Sequence, residues 1–120
     1  MKKKDALKPI YIIGAGGFGR EVAWLVERIN EQKPTWDLQG FIDDDKTLWN
    51  TTVDDHPVLG GCDYLKGQKM DAWVSIAVGN ARVRKDCANR IQGFSQLHFA
   101  TLIDPDTLVG MGTQIGEGSI

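Results

Sequence analysis

Pro9-Ile-Tyr-Ile-Ile-Gly-Ala-Gly-Gly-Phe-Gly19 is the stretch on which the fold turns. Its first five residues form a short aliphatic and aromatic run, bounded by Lys8 and by glycines, and predict a buried strand. Behind it, Phe18, Val22, Leu25, Val26 and Ile29 recur at the spacing that lines one face of an α-helix, while Arg20, Glu21, Glu27 and Glu31 take the other side. The glycines between them match G-x-G-x-x-G in the setting where that motif has physical meaning, after a strand and at the start of a helix. Gly14 permits the tight turn. Gly16, with Gly17 beside it, lets a phosphate approach bare backbone, and Gly19 allows close packing of helix on sheet. Free N–H groups and the positive end of the helix dipole favour an anion there, and a diphosphate is the natural guest. A packing turn without a ligand is the alternative.

Working outward, the helix is expected to end near Gln32, before Pro34. Trp36 to Ile42 reads as a second strand, stopped by Asp43-Asp44-Asp45. Asp54 to Gly61, with His56-Pro57 and Gly60-Gly61, is expected to be a turn-rich excursion leading to a short helix around Asp63 to Lys66. Trp73 to Val78 is a third strand, broken by Gly79-Asn80 into a helix carrying Val83, Cys87 and Ile91, and a last strand lies near Gln96 to Ala100. This order predicts an α/β fold of Rossmann-like βαβαβ type, a parallel sheet with helices on its faces, over residues 1–100.

Residues 101–120 read differently. Ile103, Val109 and Ile115 recur every sixth position, with Gly110 and Gly116 directly behind the last two. Such a hexapeptide register winds a β-helix that takes one branched aliphatic inward at each corner, so the first coil of a left-handed β-helix is expected. One coil cannot bury its apolar face alone, and the chain is therefore expected to be the truncated front part of a longer protein.

Two further groups of candidate binding residues fall at strand ends. Asp43, the preferred contact, stands where a carboxylate can accept hydrogen bonds from ribose hydroxyls, and Asp44 adds a second acceptor; a solvated acidic turn is the alternative, and it fits Asp45 better than Asp43. Val78-Gly79-Asn80-Ala-Arg82-Val-Arg84 lies at the carboxyl end of strand three, on the same sheet edge as the glycine loop. Gly79 leaves room there, Asn80 offers an amide or caps the next helix, and Arg84 offers a fork suited to phosphate or sits on a solvated face. His56 and His98 have no catalytic setting, and no catalytic residue is assigned.

With 120 residues, 42% hydrophobic and 25% charged, the chain has an ordinary globular composition. A net charge of −2 gives no footprint for nucleic acid, and Lys2 to Lys4 read as a solvated terminus. No export signal or membrane segment follows them, because the apolar run Ile10 to Ile13 is too short. Cys62 and Cys87 fit neither a metal spacing nor a disulfide framework, so no metal is expected and a cytoplasmic location is the default.

Ile12-Ile-Gly-Ala-Gly-Gly-Phe-Gly-Arg-Glu21, Gly40-Phe-Ile-Asp-Asp44, Pro57-Val-Leu-Gly-Gly61 and Ile76-Ala-Val-Gly-Asn80, followed by the hexapeptide stub, together resemble the sugar O- or N-acyltransferases of the sialic acid O-acetyltransferase type, NeuD- and PglD-like. The resemblance covers nearly the whole chain. It implies an N-terminal Rossmann-like domain that binds a nucleotide-linked sugar, of UDP-amino sugar or CMP-sialic acid type. It also implies a C-terminal left-handed β-helix that forms a homotrimer and binds acetyl-CoA between subunits. Gly14, Gly16, Asp43, Asp44, Gly79 and Asn80 match positions around the nucleotide sugar, and Arg84 a basic position after them, with Gly17 a further substrate-binding candidate in the loop. The family's catalytic histidine is expected beyond Ile120, which leaves the 120 residues alone inactive. Where relatives often have His-Pro, this chain has Asp104-Pro105. Two rivals share the fingerprint: a fragment of an NAD(P)-dependent oxidoreductase, and a non-enzymatic nucleotide-binding module.

Overall fold

The computed structural model describes residues 7–105. Six strands, β1 (Lys8–Ile13), β2 (Trp36–Ile42), β3 (Thr52–Val53), β4 (His56–Gly60), β5 (Ala72–Ile76) and β6 (Leu97–Phe99), form one sheet in the order β3-β4-β2-β1-β5-β6. All neighbours are parallel except β3 and β4. Among the described residues three helices pack on this sheet: α1 (Gly17–Gln32), α2 (Cys62–Lys66) and α3 (Ala81–Gln92), with a 3-10 turn at Lys46–Leu48.

Strand alternation divides the core into two layers. Ile10 and Ile12 of β1 pack with Val22, Ala23 and Val26 of α1, while Tyr11 and Ile13 pack on the other face with Leu65 of α2 and Cys87 and Ile91 of α3. Burying each large aliphatic contributes roughly 1.5–3 kcal/mol, so the two faces of β1 anchor the whole domain. At the end of α1, Asn30 accepts from the backbone N–H groups of Thr35 and Trp36 and donates to the Trp36 carbonyl, which turns the chain straight into β2.

The predicted α/β fold is what forms, with one correction. His56 to Gly60 is a strand rather than an excursion: β4 pairs with β2 and carries the antiparallel β3 as a hairpin. Its turn residues Asp54 and Asp55 adopt left-handed backbone (φ 49° and 69°), a geometry that short aspartates tolerate. At the other end of the domain, Ala100 N–H donates to the Val74 carbonyl and Leu102 is fully buried against the α1 face. Ile103, the first repeat position, is 37% exposed, while its neighbour Leu102 enters this core. The remaining register positions, Val109, Gly110, Ile115 and Gly116, lie outside the described residues.

Candidate functional site

The strand order reverses at β1: the chain moves from β1 to β2 and β4 on one side, then returns to β5 on the other. Open α/β sheets bind ligands at such a switch point, outside the carboxyl ends of the strands. The glycine loop, Asp43-Asp44 and Val78-Gly79-Asn80 all follow carboxyl ends and gather there.

The loop glycines do different jobs. Gly14 has φ 107°, and a Cβ on it would stand 2.5 Å from the Ala77 carbonyl oxygen. A Cβ on Gly19 would run into the Gly14 carbonyl, so the first turn of α1 lies directly on the loop. Gly16, Gly17 and Gly79, by contrast, have nothing within 4 Å of the point where a Cβ would stand, and these are the bare surfaces of the site. Gly16 is the N-cap of α1 and supplies no side-chain cap, and the first turn contains no acid. The N–H groups at this helix end therefore receive no side-chain cap, which leaves the positive end of the helix open.

Asp43 is drawn into the loop itself. Its Oδ2 accepts from Ala15 N–H at 3.1 Å and its Oδ1 from Asp45 N–H at 2.9 Å, so one carboxylate ties the β2 end to the glycine turn. Asp44 does the same on the other side, accepting from Cys62 N–H at the start of α2 (3.0 Å) and from Arg90 Nη1 (3.1 Å). The Cys62 N–H and then Arg90 hold its carboxyl below the usual carboxylate range. A carboxyl depressed in the folded state adds stability above its unfolded value, and this is lost as pH falls through the depressed one. Asp44→Asn is therefore expected to flatten the fall in melting temperature as the solution is acidified below about pH 5; a curve parallel to the parent's would remove Asp44 from acid unfolding. The effect will be small, since the side chain is 57% exposed.

Gly14, Asp43, Asp44, Val78 and Val83 share one narrow cleft with the thiols of Cys62 and Cys87 at its floor. Burial pushes the Cys62 thiol up to about 11 and raises Cys87 as well, so both are protonated packing groups. Asn80 caps α3 through Oδ1, which accepts from Arg82 and Val83 N–H; its amide nitrogen has no hydrogen-bond partner among the described residues. Arg84 lies on the exposed side of α3, with no ion pair among the described residues.

Sequence reasoning missed three participants. Trp49 donates Nε1–H to the Asp43 carbonyl (2.7 Å) and, with Leu59, Tyr64 and Lys46, lines a mostly apolar cleft of roughly 520 Å³ beside Asp44. Arg90 and Asp54 act through ion pairs with Asp44 and Arg20. No local pattern marks these two ion pairs, because the partners lie 34 or more residues apart. Neither histidine enters the site: His56 contacts Glu27 and Phe41, and His98 lies on Trp73 near the start of β5. Among the described residues no group of three His, Cys, Asp or Glu is placed to hold a metal ion, and no helix is long and apolar enough to cross a membrane.

The sequence profile of the PglD N-terminal domain matches residues 9–91. The chain belongs to the PglD N-terminal domain family. Its relatives among solved structures agree with that assignment. The acetyltransferase domain of PglB from Neisseria gonorrhoeae FA1090, in complex with acetyl coenzyme A, is 27% identical with a TM-score of 0.73, over 93% of this chain and 51% of that one. WeeI from Acinetobacter baumannii AYE is 26% identical with a TM-score of 0.67, over 85% and 46%. This PglD N-terminal domain thus spans about half the length of both. UDP-D-quinovosamine 4-dehydrogenase from Vibrio fischeri, at 22% identity and a TM-score of 0.60, shares the fold. No curated protein matches the chain.

Proposed function

We propose that this domain holds a nucleotide-linked sugar for an acetyl-CoA-dependent sugar acetyltransferase. The observation that carries the reading is the open, uncapped N-terminus of α1 behind Gly16 and Gly17, within a domain of the PglD N-terminal family. In this arrangement the diphosphate lies on the Gly16–Gly17 backbone at the start of α1. The nucleoside runs over the β2 end toward Asp44, Trp49 and Tyr64, and the sugar extends toward Gly79 and the free amide of Asn80. Asp43 and Asp44 spend their carboxylates mainly on loop and helix amides, so they shape the site and accept ribose hydroxyls only with their remaining lone pairs. Arg84 is available to an outer phosphate or sugar group.

This division of labour leaves acyl transfer to residues outside 1–100. The boundary near residue 100, a hexapeptide β-helix after it, a homotrimer, acetyl-CoA held between subunits and a cytoplasmic setting all belong to the same proposal. The acetyl coenzyme A complex of the PglB relative supports the co-substrate. The Asp104-Pro105 corner gains a role here: Asp104 accepts from Arg28 Nε and Nη2 (3.2 and 3.1 Å), which fixes where the chain leaves α1.

A thermal-shift panel of UDP-sugars, CMP-sialic acid, NAD and NADP tests the ligand class. Stabilisation by a nucleotide sugar is expected, and stabilisation by NAD or NADP alone would overturn the reading in favour of an oxidoreductase fragment. Asp43→Ala strips the acceptor from the part-buried Ala15 N–H, so a stability loss of about 1–3 kcal/mol in urea denaturation, with weaker UDP binding, is expected. Unchanged values for both would show that the loop is braced elsewhere.

A further inference from the structure

We propose that Arg20 is an exchangeable anion-binding arm of this site, parked on Asp54 when the cleft is empty and transferred to a phosphate oxygen when a diphosphate binds. The inference rests on the reading of the glycine loop as a diphosphate seat, and extends it to a side chain that the G-x-G-x-x-G pattern does not include. A cleft of roughly 390 Å³ separates the glycine loop from the β3–β4 hairpin, with Gly16, Gly17 and Arg20 on one wall and Thr52 and Asp54 on the other. Arg20 spans it. Its Nε donates to Asp54 Oδ2 at 3.1 Å and its Nη2 to Oδ1 at 3.3 Å, so the guanidinium presents both prongs of its fork to one acid.

Three features make this an exchange site rather than a fixed strut. The side chains are 58% and 47% exposed, and solvent screens a pair in such surroundings, so little opposes their separation. A phosphate offers the same two-oxygen edge with more charge, and guanidinium takes it in the same bidentate geometry. Asp54 is also fixed in the left-handed hairpin turn, on the wall opposite the loop, while Arg20 rides on the first turn of α1 beside the bare glycines. The two can part without disturbing a helix or a strand. Asp54 then acts as a competitor: it holds the arm near the seat and lowers affinity for weakly charged guests.

The test lies in the sign of two substitutions. Arg20→Gln is expected to weaken binding of inorganic pyrophosphate and of UDP about tenfold and to reduce its salt dependence. Asp54→Asn is expected to tighten both about two- to fivefold, since asparagine tolerates the left-handed turn and releases the arm. A fixed strut would give weakened binding in both variants. Calorimetric titration of each probe at low and high salt, with circular dichroism melts to verify folding, reads these outcomes. Loss of affinity in both variants, or change in neither, overturns the proposal. The opposite-sign pattern with pyrophosphate, without stabilisation by any nucleotide sugar, leaves the arm standing and removes the nucleotide-sugar reading. A parent chain that binds neither probe removes both.

Discussion

A valine at position 16 is expected to abolish nucleotide-diphosphate binding and leave the domain folded. Gly16 has φ −84° and ψ −160°, an extended conformation with the negative φ of ordinary L-residues, and its Cβ direction is empty to 4 Å. Valine is a poorer N-cap than glycine, by up to about 1 kcal/mol, but it also restricts the unfolded chain by about 0.4–1 kcal/mol, so the two terms nearly cancel. The melting temperature should move by only a few degrees. Binding should not survive, because the isopropyl group occupies the space in which an anion would meet the amides at the start of α1. Losing two charge-assisted hydrogen bonds at about 1.5–3 kcal/mol each lowers affinity by roughly a hundredfold or more. Titration of the variant with UDP and a UDP-sugar reads this directly. Parent-like affinity would place the diphosphate somewhere other than the glycine loop.

That experiment works because Gly16 faces outward, and only part of this was legible in the sequence. The first strand, glycine loop and helix could be read locally: Pro9–Ile13 supplies the strand, the spacing from Phe18 to Ile29 the helix, and the chain between them has no other way to turn. Trp36–Ile42 and the helix after Asn80 were legible for the same reason. The β3–β4 hairpin was not. Thr52-Val53 is two residues long, Pro57 argues against an interior strand, and the Asp54-Asp55 turn lacks the glycine that usually marks such geometry. What makes His56–Gly60 a strand is its pairing with Phe41 and Ile42, contacts that no local window contains.

The site shows the same limit in another form. Gly14, Gly16, Gly17, Asp43, Asp44, Gly79 and Asn80 are indeed brought to one sheet edge, since strand ends and helix starts fix their positions. Their partners are another matter. Asp43 reads as a ribose acceptor in isolation, yet its oxygens already serve Ala15 and Asp45 N–H; Asp44 is shared between Cys62 and Arg90, 18 and 46 residues away. Arg20 reads as part of a solvated face, and the ion pair that gives it a second meaning comes from the hairpin that the sequence hides. Placement could be read from pattern, whereas partnership depends on long-range packing.

Gly19→Ala carries the largest expected effect on stability, and it separates the two kinds of glycine in this loop. One methyl group is added, but its position coincides with the Gly14 carbonyl, with Phe41 Cε1 a further constraint at 3.4 Å. Neither neighbour can yield. Gly14 is held by its N–H to the Ile42 carbonyl (2.7 Å) and has no space toward Ala77, while Phe41 is fully buried in the layer beneath α1. The first turn of α1 must therefore lift from the sheet, loosening Val22 and Val26 from Ile10 and Ile12. Overpacking of a fixed core typically costs about 1–3 kcal/mol, and partial loss of the α1 interface adds to it, so a drop of about 3–5 kcal/mol is expected. For a domain of this size that approaches the whole of its stability. Urea denaturation of Gly19→Ala beside Gly16→Ala makes the contrast: the first should unfold at far lower denaturant, the second near the parent. Equal midpoints would mean that helix and loop do not touch as closely as the fold requires, and the rigid seat argued for the diphosphate would go with them.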